Sequence, residues 1–312
     1  MTTETQRRKR EALGMWLGLL GVAIFALTLP MTRLATGTVD HPQLSPWFIT
    51  FARAALAGGL SVAFLALTRS PRPTRSQLKP LAWATLGNCL GFPVLLGFAL
   101  RHVPSGHAAV FTALLPLTTA AMAAWVLHQR ARLGFWLFAG LGASLVVGFA
   151  WIRATQHPQG FALEWADLAL IGAIISAAIG YVYGAQITPT LGAERVICWV
   201  CVLALPVTVP GTILMWPDTP APVSAWLALL YVGVFSMWAG FFAWYRGLAV
   251  GGALKVSQVQ LVQPFISILA AVPLLGEPLE TMTLGFTLAV VATVFAGKRF
   301  AAGSPSPRAA LT

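Results

Sequence analysis

Residues 251–280 read GGALKVSQVQLVQPFISILAAVPLLGEPLE. The run is long and apolar enough to cross a bilayer as a helix, which takes about 20 residues. Yet Ser257, Gln258, Gln260, Gln263 and Ser267 interrupt it, with Pro264 in their midst. A glutamine amide in hydrocarbon has no water to bond, so it costs free energy unless protein or ligand satisfies it. At about 100° per residue, Ser257, Gln260, Gln263 and Ser267 fall within a sector of roughly 120°, with Gln258 outside it. One spanning helix thus carries a polar stripe at membrane depth. Such a stripe faces either a neighbouring helix or a water-filled cavity.

The rest of the chain is of the same kind. Of 312 residues, 57% are hydrophobic and 9% charged, and mean hydropathy is +0.77. A soluble domain carries roughly 25% charged residues, so an all-α polytopic membrane protein is expected. Apolar runs of about 20 residues exclude a barrel, whose strands are about half that length and alternate. The net charge of +11 sits in short loops and tails, where basic residues mark the cytoplasmic side. The bilayer, not nucleic acid, is the expected partner. Cys89, Cys198 and Cys201 all lie inside apolar runs, so no disulfide framework is expected, and Cys198-Trp-Val-Cys201 reads as ordinary helix.

Ten spans are expected, at 13–34, 46–68, 79–101, 104–127, 133–152, 165–187, 193–216, 223–246, 252–275 and 280–299. A basic segment, 1–12, precedes them, and a disordered tail, 300–312, follows. With the N-terminus inside, 16 of the 20 basic residues fall in cytoplasmic segments, which fits an even span number.

The chain also repeats itself. Shifted by 148 residues, 99–130 (ALRHVPSGHAAVFTALLPLTTAAMAAWVLHQR) lies over 247–278 (GLAVGGALKVSQVQLVQPFISILAAVPLLGEP) without a gap. Pro116 meets Pro264, Thr112 meets Gln260, Thr119 meets Ser267, and His107 meets Lys255. One span earlier, Asn88 meets Ser236. Five spans per copy, 13–152 and 165–299, put the second copy in upside down. Inverted repeats give one bundle two equivalent arrangements, open to either side around a midplane site.

These features, with IFALTLPMTRLA in the first span and FARAALAGGL in the second, resemble the EamA family of the drug/metabolite transporter superfamily. The resemblance covers about 13–299. It implies a ten-helix secondary transporter with alternating access, often an exporter of amino acids or other small metabolites. The expected place is a bacterial inner membrane, with both termini cytoplasmic. The family often shows a Gly-Glu pair in each half. Here it is intact only in Gly276-Glu277, because the first half has His128-Gln129-Arg130.

Candidate substrate contacts are Gln260, Gln263, Ser257, Ser267, Thr112 and Thr119, since amides and hydroxyls both donate and accept. Trp238 and Tyr183 are candidates for the cavity wall, against ordinary helix packing. Arg53, some eight residues into the second span, either snorkels outward, caps carbonyls or takes a substrate carboxylate. Pro116 and Pro264 are candidate hinges, and His107 and Lys255 candidate gates or interfacial anchors. Pairs such as Gly14/Gly18, Gly87/Gly91 and Gly180/Gly184 read as close helix packing.

No metal or cofactor motif is seen, and no acid stands at mid-membrane. The expected partners are a small-molecule substrate and lipid, with a homodimer left open. An intramembrane group transferase and a non-transporting scaffold are the competing readings. The first would want clustered acids or histidines and a large catalytic loop. The second would have no need of an inverted polar stripe.

Overall fold

The computed structural model describes residues 4–126, 132–155, 165–251 and 257–298. Among them every regular element is helical. The elements are α1 (Glu4–Ala26), α2 (Thr28–Thr36), α3 (Pro46–Leu67), α4 (Arg75–Thr85), α5 (Phe92–His102), α6 (Ser105–Thr112) and α7 (Leu115–Val126), followed by α8 (Leu133–Thr155), α9 (Trp165–Leu191), α10 (Ala193–Leu214), α11 (Val223–Leu230), α12 (Gly240–Gly251), α13 (Gln263–Leu275) and α14 (Thr281–Lys298). Eight helical stretches are long and apolar enough to span a membrane, from Glu11–Thr36 to Val223–Gly247. Two shorter apolar helices, Val259–Leu275 and Thr281–Gly297, follow. The chain is an integral membrane protein. Lys255 and the tail 300–312 lie outside the described residues.

Local chemistry sets the helix starts. Ser45 accepts the Phe48 amide at 3.0 Å and Pro46 opens α3, so one orphan donor is capped and a residue without a donor sits where none is needed. At α4, the Thr74 amide donates to Gln77 Oε1 at 2.9 Å. Small residues then let backbones touch, as expected. A Cβ on Gly247 of α12 would lie 2.7 Å from the Gly18 nitrogen and 2.9 Å from the Gly14 carbonyl of α1. Gly87 meets the α9 backbone at Ser176 and Gly180 just as closely. In a bilayer this contact replaces the hydrophobic drive that lipid removes.

Several spans break midway. Between α4 and α5 the backbone is a π-helix over Leu86–Gly91, and between α11 and α12 another covers Tyr231–Ala239. The first contains Asn88 and the second Ser236, the pair matched at the 148-residue offset. Such i→i+5 turns are rare, and frequently lie at functional sites. A turn at Ala113–Leu114 separates α6 from α7, and a 3-10 turn over Ser257–Val262 precedes α13. Pro116 and Pro264 are each the second residue of the new helix, where the missing amide hydrogen has no partner to lose. They begin helices rather than kink them.

Candidate functional site

The broken spans converge on one polar cavity of about 50 Å³. Its wall takes Phe25, Thr28, Leu29, Arg53, Asn88, Phe92, Thr112 and Leu115 from the first half, and Tyr181, Ile197, Ser236, Met237, Phe241 and Gln263 from the second. A smaller hollow of about 20 Å³ shares Thr112, Leu115 and Gln263, and adds Pro116, Gln260 and Pro264. Thr112, Gln260 and Gln263 therefore stand together, with both candidate hinge prolines beside them. A larger groove of about 710 Å³ runs along α3, α10 and α11, but its walls are exposed Leu56, Leu227, Leu230 and Trp216. Lipid tails fill such a groove as well as any solute does.

Arg53 is the charged member of the wall. It is 3% exposed, so it does not snorkel. Nη2 donates to Ser236 Oγ at 3.3 Å. That hydroxyl lies 2.8 Å from Thr28 Oγ1, and either can donate. Nε and Nη1 are buried with no hydrogen-bond partner. Gly233 packs on the same stretch of α3: a Cβ there would meet Leu56 Cδ1 at 3.2 Å and the Arg53 backbone at 3.4 Å.

Apart from the cavity wall, polar contacts tie the two halves together. Gly276, at φ 68°, ends α13 in the left-handed conformation and reverses the chain. Glu277 then reaches across to the first half. Its Oε1 accepts the Ser105 amide at 2.8 Å; its Oε2 accepts the Ser105 hydroxyl at 2.9 Å and the Gly106 amide at 3.0 Å. A carboxylate thereby caps the start of α6, where orphan amides and the helix dipole favour negative charge. Arg33 pairs with Glu277 at 3.3 Å and donates through Nη1 to the Leu100 and Val103 carbonyls, each at 2.5 Å. One residue on, His107 Nε2 lies 2.7 Å from Asp167 Oδ1 of α9, against Phe111 and Phe149. Both members of that pair are buried. His107 is thus no interfacial anchor, and Asp167, although near a span end, is inside the protein.

Other candidates fall elsewhere. The Ser267 hydroxyl donates to the Ala26 carbonyl at 2.5 Å and joins helices. Thr119 Oγ1 and Trp238 Nε1 are buried without partners, and neither residue belongs to the cavity wall. Trp238 packs on Phe64 and Phe242. Tyr183 stacks on Trp83, while Tyr181, two residues earlier, faces the cavity. Ser257 opens the 3-10 turn. Sequence reasoning missed Thr28 and Tyr181 as wall residues. Asn88 and Ser236 had been matched to each other, but not read as wall. Their signal was a polar residue at mid-span in each half.

A helical membrane bundle with a polar cavity between its halves is an arrangement that the transporter class uses. Within that class, the profile of the EamA-like transporter family matches residues 12–151 and again 164–296, and the chain belongs to this family. It is 40% identical over 287 residues to YdeK of Bacillus subtilis, called an uncharacterized transporter, covering 91% of this chain and 96% of that one. It is 25% identical to a probable terminal-alkyne amino-acid exporter of Streptantibioticus cattleyicolor, covering 91% and 93%. YedA of Escherichia coli, an uncharacterized inner membrane transporter, is 31% identical over 81% of this chain and 82% of its own. One solved crystal structure shares the fold, with TM-score 0.61 at 19% identity, over 97% of this chain and all of the other.

Proposed function

We propose that the chain is a secondary transporter that exports a small metabolite, such as an amino acid, by alternating access. The observation that carries this is the polar cavity walled by both halves, which Glu277 also ties together through Ser105. In this reading ten helices form two inverted five-helix repeats. The π-helices at Asn88 and Ser236 and the new helices at Pro116 and Pro264 support it, each pair lying 148 residues apart. Both termini are cytoplasmic, the membrane is a bacterial inner membrane, and the Glu277 end faces outward. Cargo enters from the cytoplasmic side and leaves when the Glu277 contacts part and the halves rock. Gln263, Gln260, Thr112 and Arg53 contact it. Pro116 and Pro264 supply the hinges, and the His107–Asp167 pair belongs to the outer gate. Export, rather than uptake, and amino-acid cargo find support in the Streptantibioticus relative, a probable terminal-alkyne amino-acid exporter.

Counterflow in proteoliposomes tests this. Vesicles preloaded with each of a panel of unlabelled amino acids are expected to accumulate the labelled form above protein-free vesicles. Folded protein that exchanges none of the panel would overturn the amino-acid reading.

A further inference from the structure

We infer that Arg53 makes the cavity a carboxylate site: the cargo is a small monocarboxylate with an apolar body, and an amino group on it is not required. This rests on the cavity being the transport site. A guanidinium does not lose its proton at any physiological pH, so Arg53 is a fixed positive charge. It is 3% exposed, and only Nη2 has a partner, the neutral Ser236 hydroxyl. A buried charge is costly until an opposite charge meets it. Among the described residues, no Asp or Glu lines the cavity. Part-buried Glu277 and buried Asp167 are engaged elsewhere, Glu277 by Arg33 and the α6 amides, and Asp167 by His107.

The missing counter-charge must therefore come from a ligand. Nε and Nη1 still offer hydrogens, and with the second hydrogen of Nη2 either edge of the guanidinium can take a carboxylate. The same wall offers nothing negative to an ammonium group. Asn88, Thr112, Tyr181 and Gln263 are neutral, and a lone cation would meet Arg53 head-on. Phe25, Phe92 and Phe241 line the rest and suit a hydrocarbon body. At about 50 Å³ the cavity is small, so a short cargo is favoured.

Ligand-induced thermal stabilisation of the purified, detergent-solubilised protein reads binding without transport. The probes are leucine, its keto-acid analogue, isocaproate (the same skeleton without the amine), leucinamide, choline and sodium chloride. Leucine, the keto acid and isocaproate are expected to stabilise it comparably. Leucinamide, with its carboxylate masked, is expected to bind on the order of 100-fold more weakly, and choline not at all. Arg53→Met should lose the response to all three carboxylates, while Arg53→Lys keeps a weakened one. The inference is overturned if no carboxylate shifts the protein, if leucinamide matches leucine, or if Arg53→Met responds like wild type. A shift from chloride equal to that from the carboxylates also overturns it, since any anion then suffices. Comparing leucine with leucinamide needs no variant to fold. Carboxylate binding without counterflow would leave this inference standing and remove the transport reading. Counterflow of leucine and leucinamide alike would do the reverse.

Discussion

Two polar clusters within this bundle differ in one respect. In one, the carboxylates have partners: Glu277 holds Ser105, Gly106 and Arg33, and Asp167 holds His107. In the cavity Arg53 has one weak hydroxyl contact and two unpartnered nitrogens. A satisfied cluster holds helices together. An unsatisfied one is a demand for something absent from the chain. The low dielectric of the interior sharpens both effects, since it strengthens made bonds and raises the cost of unmade ones. The first cluster also joins the halves through an acid. At the 148-residue offset, Glu277 corresponds to Gln129, an amide with no charge to offer.

The comparison breaks most easily at Glu277. Glu277→Ala strips the α6 start of its cap and leaves Arg33 with carbonyls alone. A loss of about 3–5 kcal/mol is expected from three part-buried hydrogen bonds to a charged group, each worth roughly 1.5–3 kcal/mol before discounting for exposure. The midpoint of SDS denaturation would report it, and a variant as stable as wild type would remove the Glu277 cluster from the argument. Arg53→Met should move the same midpoint the other way. Replacing an uncompensated buried charge with a well-packed apolar side chain is expected to stabilise the unliganded protein by about 1–4 kcal/mol. If Arg53→Met instead destabilises, the guanidinium has a structural partner and the two clusters are alike.

The sequence made one of these clusters far more visible than the other. Arg53 stood out because a charge within an apolar run is rare whatever its surroundings. The His107–Asp167 pair did not, because it joins residues 60 positions apart and neither is unusual at a span end. The apolar runs announced the helical spans, since hydrocarbon allows little else. The π-helices were silent, because i→i+5 bonding leaves no mark in composition. The stripe at 251–280 was only partly right for a related reason. It assumed α-helical phase throughout, but Ser257–Val262 is a 3-10 turn, in which residues three apart eclipse. Gln260 and Gln263 therefore line up on the hollow, while Ser267, a turn of α-helix further on, points to Ala26. On α9 the sequence candidate is Tyr183, while Tyr181 lines the cavity. Which face of α9 meets the cavity is set by the packing of Gly87 and Asn88 against Gly180, not by α9 alone.

Gln263 and Gln260 sharpen the comparison within the site. Gln263 lines the cavity beside Arg53, and Gln260 only the adjoining hollow. Gln263→Leu is expected to weaken the apparent affinity in counterflow by roughly tenfold, the loss of a hydrogen bond of about 1–1.5 kcal/mol. Gln260→Leu should cost less than half of that in free energy. Equal effects would merge the two hollows into one site, and no effect from either would make the stripe helix packing.

Ser267 sets the smallest effect and the control for the rest. It belongs to the same stripe by sequence, yet its hydroxyl donates to the Ala26 carbonyl where α1 gives way to α2. Ser267→Ala removes one interhelical hydrogen bond, and such bonds between membrane helices average about 0.6 kcal/mol. The midpoint of SDS denaturation should fall by that amount, while counterflow affinity stays at the wild-type value. A change in affinity with stability intact would return Ser267 to the cavity, and the division between satisfied and unsatisfied polar groups would then fail on the helix where it was first read.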